Sequence, residues 1–354
     1  MGHYSAPREK IRGVFLMAQH LSPVAVAAWT DLLRHLKDAA VSELRGVPRL
    51  KKVGQRAYWY DHFRIGDRTV DRYIGEDGEE LRARLDRLES LREAEKQSQR
   101  ERSRLMRILR AEGCLMTDRG SGQVISAMAR AGVFRLGGTL VGTQAFRCYE
   151  GELGLRIGFD HTAMTDDIDI ASFERLSLVL GDRVTEPLAE VFRDLRFAPL
   201  PSVEGQRVWR WRQGEQQTLV EFLTPCFDGT EGLRDLPALG VSAQSLHYLN
   251  FLIADPIRVP LLYRAGFLIQ VPRPERYAIH KLIVADRRRE GPEALKARKD
   301  RAQAEFLIEA LAEERPDELR DAYETAMEQG PSWRTRLAAT LERMPHLRDR
   351  LQAL

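Results

Sequence analysis

The sequence predicts an α+β fold: a small mixed β-sheet core flanked by helices, preceded by N-terminal helices with a β-hairpin and followed by a helical C-terminal region. Three observations predict it. Residues 56–75 are aromatic-rich and alternate around a central Ile65-Gly66-Asp67-Arg68 turn, as a hairpin does. From residue 123 onward, short strand-like runs mix with helix-like spacing and glycine turns. After Pro274 the spacing is helical to the end, with breaks near Pro292, Pro316, Pro331 and Pro345. At about 150 residues per domain, 354 residues make two to three domains. The boundaries expected are 1–112, 113–270 and 271–354.

The elements follow in order. Residues 9–46 read as helices. Ser22 is an N-cap and Pro23 takes the first helical position. Ala25, Ala28, Trp29, Leu32, Leu33 and Leu36 then recur at helical spacing. The hairpin at 56–75 comes next. From Glu76 to Glu112 one long charged helix is expected, with acids in its first turns and arginines at its end, which complements the helix dipole. It reads either as a solvated helix packing a Leu81, Leu85, Leu88 stripe, or as an arginine face for a nucleic-acid backbone. Val124, Ile125 and Met128 suggest a short helix. Val133-Phe134-Arg135-Leu136 suggests a strand. Leu140 to Phe146 reads as a strand end turning into a helix. Asp167 to Ala171 is a strand. Residues 207–212 and 218–223, joined by Gln213-Gly214-Glu215, form a second hairpin. No internal repeat or low-complexity segment is visible.

Composition excludes several classes. Fifty-five Lys+Arg against 52 Asp+Glu leave a net charge of +3, too near neutral for a histone-like surface but compatible with a local basic groove. Hydrophobic residues at 43% supply a packed core, which excludes wholesale disorder. Cys114, Cys148 and Cys226 are odd in number and far apart, which excludes a disulfide framework and a cysteine zinc site. No apolar run approaches a membrane span. The Val14–Ala18 run behind Arg8, Lys10 and Arg12 is too short for a signal peptide, and a cytoplasmic location is expected.

Three features carry chemistry. In Thr165-Asp166-Asp167-Ile168-Asp169-Ile170, alternation puts Asp167 and Asp169 on one strand face, about 6.5–7 Å apart, with the isoleucines opposite. Adjacent carboxylates repel and need hydration or neutralisation. A divalent metal such as Mg²⁺, or Mn²⁺, supplies it and favours phosphate oxygens. The bland alternative is an exposed acidic strand end. Gly142-Thr143 sits at a strand-to-helix turn, where backbone N–H groups meet a phosphate, and Gly137-Gly138-Thr139 competes for that role. Glu221 shares a strand face with Leu219 and Leu223. A carboxylate there is costly unless it is paired, metal-bound or turned to solvent on an edge. His161, His247 and His280 have no ligand spacing and read as structural. Trp209 and Trp211 alternate with Arg210 and Arg212. They form either a stacking surface for a base or, as periodicity favours, tryptophans inward and arginines outward.

A G-[ST] turn opening a helix, a strand with DxD and a third carboxylate on a later strand resemble the polymerase-β-type nucleotidyltransferase superfamily. Val271 to Leu282 resembles the helix following the catalytic domain in uncharacterised bacterial members, and Lys296 to Ala304 resembles the R/K-x-x-K-D motif of AbiEii-type toxins. The resemblance covers roughly 123–312. It implies that Asp167, Asp169 and Glu221 hold two metals and that Gly142, Thr143, Lys281 and Lys299 meet the nucleotide. It also implies that Lys281 and Asp300 join the catalytic set. One departure is the 25-position gap from Gly142 to Asp167, longer than usual, with Glu150-Gly151-Glu152-Leu153-Gly154 looking like an insertion.

The leading function is metal-dependent transfer of a nucleotide from an NTP to an acceptor hydroxyl. RNA such as tRNA is an acceptor suited to the arginine-rich segments at 100–110 and 287–301, and a toxin-like role would bring a cognate antitoxin as partner. The rival is a non-catalytic nucleotide- or RNA-binding protein on the same fold, docking through the aromatic hairpin. Three carboxylates together favour the enzyme.

Overall fold

The computed structural model describes residues 19–354 apart from 66–67, 159–166, 174–180, 203–204, 206, 215–217 and 291–292. Residues 1–18 with the basic N-terminus, the Gly66-Asp67 turn, His161, Thr165-Asp166, Glu215 and Pro292 therefore lie outside the described residues.

Helix α1 (Pro23–Ser42) starts as expected: the Ser22 hydroxyl accepts from Ala25 N and Pro23 opens the helix. It packs against a long helix, α3 (Leu88–Ala111). Between them along the chain comes an antiparallel meander of β1 (Val47–Val53), β2 (Arg56–Ile65) and β3 (Arg68–Glu76). The hairpin read at 56–75 is β2–β3, and β1 is an edge strand that sequence alone left unassigned. The single helix expected over 76–112 is instead β3's end, a short α2 (Glu79–Leu85) and α3, with a break at Asp86-Arg87. The break lets Leu81 and Leu85 pack beside Val41, Leu44, Ile74 and Leu88 in a satellite core. Leu105, Met106 and Leu109 of α3 enter the main core, leaving Arg104, Arg107 and Arg110 exposed.

α4 (Arg119–Ala131) is capped by Asp118, whose carboxylate accepts from Ser121 N. Val133 to Leu136, expected as a strand, is a turn instead. Val133 N, Leu136 N and Gly138 N all bond locally to Met128, Gly132 and Val133 carbonyls, so these apolar side chains are buried without joining a sheet. The central sheet runs β4 (Thr139–Val141), β5 (Asp167–Ala171), β8 (Leu219–Pro225), β10 (Val241–Leu246), β9 (Leu233–Leu236). β7 (Arg210–Gln213) joins β8 and carries β6 (Phe197–Pro199), which follows α6 (Leu188–Asp194). β5 and β10 are parallel to β8, whereas β4 is antiparallel to β5 and β7 to β8, so the sheet is mixed.

α5 (Gly142–Leu153) leaves β4 directly. It includes Glu150 to Leu153, so the segment that looks like an insertion forms the last turn of a helix. Glu150 is buried there because its carboxylate accepts from Leu115 N and Ile157 N, and Gly151 lies so close to Trp29 that a Cβ would come within 2.2 Å of the ring. After α7 (Leu249–Leu252) and the β11–β12 hairpin (Ile257–Leu261, Phe267–Val271), the chain is helical: α8 (Pro274–Arg287), α9 (Ala294–Glu314), α10 (Pro316–Glu328), α11 (Pro331–Leu341) and α12 (Pro345–Gln352). Pro274, Pro316, Pro331 and Pro345 each open a helix, where proline's missing N–H is not needed. No described helix is long and apolar enough to cross a membrane.

Candidate active site

The site assembles where β4, β5 and β8 lie side by side. In β5, Ile168 and Ile170 are fully buried, so Asp167 and Asp169 share the other face, both half-buried. In β8, Val220 and Phe222 are buried and Glu221 takes the site face. The parallel register pairs Asp169 with Glu221, and the antiparallel register pairs Asp169 with Val141. β8 is a central strand, so Glu221 does not sit on a solvent-facing edge.

Gly142 follows Val141 and opens α5 at φ +68°, where a side chain is strained. A Cβ on it would stand 2.7 Å from Asp169 Oδ2. The glycine is therefore needed twice, for its dihedral and for the carboxylate beside it. Gly138, by contrast, packs on Val133. Thr143 is buried in the first turn of α5, which has no acid and no side-chain cap. Tyr277 of α8, fully buried, holds the Gly142 carbonyl with its hydroxyl at 2.9 Å and lies 3.0 Å from Gln303 Oε1 of α9.

A cationic rim faces the carboxylates. Lys281 is buried, with Nζ bonded to Asp300 Oδ1 at 2.5 Å and 5.2 Å from the Tyr277 ring centroid. Arg288 donates to Asp300 Oδ2 at 3.0 Å. Burial pushes the Asp300 carboxyl up, but Lys281 and Arg288 outweigh it and hold the group below its ordinary value. Burial, then the Glu221 and Asp167 carboxylates, drive the Asp169 carboxyl up to about 7 against the opposing pull of Lys281 and Arg288. Glu221 is raised by burial and Asp167, against Arg210, Lys296 and Arg288. Lys299 is pushed down to about 8 by burial and by Lys281, with Asp300 and Asp167 pulling the other way. His280 is driven down to about 3 by burial and Lys281, so it is neutral, in keeping with a structural histidine.

The fold thus brings Asp167, Asp169, Glu221, Gly142, Thr143, Lys281, Lys299 and Asp300 to one neighbourhood. Asp300 enters it as the partner of Lys281 and Arg288. Four contributors were not singled out from sequence. Arg210 is the cross-strand neighbour of Glu221, 4.0 Å away, with its guanidinium stacked 4.4 Å from the Trp209 centroid. The expectation of arginines turned outward therefore fails at Arg210, while Trp211 is inward as expected. In the sequence Arg288 stands out only as part of a basic run. Tyr277 and Gln303 had no signal beyond helical spacing.

Among the described residues, no group of three or more His, Cys, Asp and Glu side chains is gathered closely enough to hold a metal ion as the side chains stand. The chemistry of the donors still fits one. All three are hard carboxylate oxygens, two of them opposed across adjacent strands with their proton affinity raised by burial and by neighbouring carboxylates, the situation a divalent cation relieves.

A family model described as a nucleotidyltransferase matches residues 119–328, well over half of the chain. A second, described as a domain of unknown function (DUF6788), matches residues 29–83, which span most of α1, the meander and α2. No curated protein and no solved structure matches.

Proposed function

The chain belongs to the nucleotidyltransferase family and is a transferase, and from that premise we propose that it moves a nucleotide from an NTP to an acceptor hydroxyl with the help of Mg²⁺ or Mn²⁺. The observation that carries this reading is the register: Asp169 faces Glu221 on parallel neighbours, Gly142 backs directly onto Asp169, and five cations, Lys281, Arg288, Arg210, Lys296 and Lys299, act on the carboxylates. Asp167, Asp169 and Glu221 would hold the divalent metal, which supplies charge neutralisation at the entering and leaving oxygens of an in-line displacement.

The chain's own residues perform the rest. The open first turn of α5 at Gly142-Thr143 presents backbone N–H groups to the triphosphate. Tyr277, bonded to the Gly142 carbonyl, fixes that turn against Asp169. Lys281 meets the charge that builds on the leaving pyrophosphate, and Asp300 aims it. Lys299 and Arg288 extend the same positive wall. Phosphoryl-type transfer demands mainly positioning and electrostatic stabilisation, and buried, pre-aimed cations provide both.

The acceptor proposed is RNA, tRNA included, because the basic segment at 287–301 borders the site. A toxin-like role in the cytoplasm, with a cognate antitoxin, rests on the Lys299-Asp300 resemblance, and growth arrest on expression checks it. The direct test incubates purified protein with Mg²⁺, each labelled NTP and total RNA. Label on RNA, lost in Asp169→Ala, is expected. Label on protein alone would reject RNA as acceptor, and no NTP turnover with any acceptor would reject the reading as a whole.

A further inference from the structure

β1 is uncovered where its neighbours are covered. Tyr58 and Tyr60 of β2 are buried on one face, and on the other Trp59 packs against the Val41, Leu44, Ile74, Leu88 cluster. Every residue of β1 except Pro48 is exposed, including Val47 (65%), Leu50 (43%) and Val53 (39%). β1 pairs with β2 alone, so among the described residues its outer edge is unpaired. The strand contributes almost nothing to the core.

Its charge is of one sign. Residues 45–56 contain Arg45, Arg49, Lys51, Lys52 and Arg56 and no acid, in a chain whose charges otherwise nearly balance. An edge is guarded from other strands by charge, lysine above all, and by proline, so Pro48, Lys51 and Lys52 also serve that end. A run of cations alone matches a polyanion. Lys51 is tied to Asp71 at 2.6 Å and stands 4.9 Å from the Tyr60 ring centroid. Among the described residues no ion pair reaches Arg49 or Lys52. The register places Arg49 opposite Tyr60 and Lys52 opposite Ala57, so these two cations point to opposite faces of the strand. The exit from α1 into β1 is fixed: the buried Asp61 carboxylate accepts from Arg45 N at 2.8 Å and Gly46 N at 2.7 Å.

We propose that β1 docks edge-on into the major groove of duplex DNA, as a surface separate from the transfer site. A strand inserted by its edge turns its two faces to the two phosphate ridges, and cations on both faces are what that needs; a single strand would need them on one. Side chains on both faces give a strand a thickness of about 10 Å, the spacing of packed sheets, and the B-form major groove is about 12 Å wide. The A-form major groove is deep and narrow, which disfavours duplex RNA. Seven residues span about 23 Å, within one helical turn of about 34 Å.

The test measures anisotropy of a labelled 20-base-pair DNA duplex with the full chain, against the same-sequence single strand and RNA duplex, over a salt series. Of the three, duplex DNA should depend most on β1. Arg49→Glu with Lys52→Glu should weaken it about tenfold or more, with thermal midpoint and NTP turnover unchanged. Arg49→Ala with Lys52→Ala should lower the slope of log K against log salt by about 1.8, two phosphates' worth. Unchanged affinity in the charge-reversed protein overturns the proposal. So does affinity for duplex RNA or the single strand that these substitutions weaken as much as that for duplex DNA, or a wild-type dimer in gel filtration that they dissociate. Asp169→Asn should bind duplex DNA like wild type, which separates this surface from the proposed transfer site.

Discussion

Replacing Asp300 with alanine is the most discriminating perturbation of the site. Both carboxylate oxygens are committed, Oδ1 to Lys281 and Oδ2 to Arg288. The Asp300 side chain is 3% exposed and that of Lys281 10%, so removing the acid strands a buried ammonium. Arg288, a third exposed, still has Glu293 at 3.5 Å and turns toward it. The cost therefore comes mainly from one unpaired buried cation, roughly 3–5 kcal/mol. Lys281→Ala leaves Asp300 held by Arg288 and should cost less, about 1–3 kcal/mol. Urea unfolding midpoints of both variants, and of Lys281→Met with Asp300→Leu, measure this. The double variant should lose less than the two single losses added, because neither charge is left alone. It should nonetheless be inactive, having no cation at Lys281's position. The folded carboxyl titrates below its ordinary value, so its stabilisation is present above the ordinary carboxylate range and is lost as pH falls through the folded value. The gap between wild type and Asp300→Ala should accordingly narrow in acid. Stability of Asp300→Ala within about 1 kcal/mol of wild type at pH 7 would refute the reasoning.

The remaining predictions test the carboxylate side. Asp169→Asn should abolish transfer yet stabilise the metal-free protein. With its folded value raised to about 7, the carboxylate destabilises progressively as pH climbs from the ordinary range to that value, so the gain should appear at pH 8 and vanish near pH 4 in thermal scans. Gly142→Ala introduces a Cβ 2.7 Å from Asp169 Oδ2 at φ +68°, and single-turnover kinetics should show at least about a tenfold loss with about 1–2 kcal/mol of destabilisation. Tyr277→Phe frees the Gly142 carbonyl. Its kcat should drop more than its NTP KM rises, since the hydroxyl positions the turn without touching substrate, and equal changes in both would count against that role.

Much of the architecture was legible because local physics fixed it. Ser22-Pro23 and the later prolines announce helix starts, and Ile168 and Ile170 fix which way Asp167 and Asp169 face. Two features escape a reading of local pattern for one cause. Val133 to Leu136 has strand composition but is buried as a turn, and Glu150, in the segment that looks like an insertion, is a buried acid at a helix end. Glu150 is polar because two backbone N–H groups converge on it, a demand set by chain segments at 115 and 157. Periodicity cannot see a partner that arrives from elsewhere.

The helical half of the site hides a regularity that a different question would have exposed. Read one helix at a time, Lys281, Asp300 and Gln303 are three unrelated polar residues. Read as two helices folded back on one another about the break near 290, they become pairs. Tyr277 meets Gln303, Lys281 meets Asp300 and Arg288 meets Glu293, each pair nearly equidistant from that break. A tyrosine with an amide and two cations with two acids are complementary at every step, which a wrong register would not produce. The antiparallel pairing of α8 and α9 is thus contained in the sequence once the two helices are read as folded back on one another. It follows that the spacing across this break sets the aim of Lys281. Inserting one residue between 290 and 293 should shift α9 against α8, part Lys281 from Asp300 and reduce turnover, although every proposed site residue would still be present.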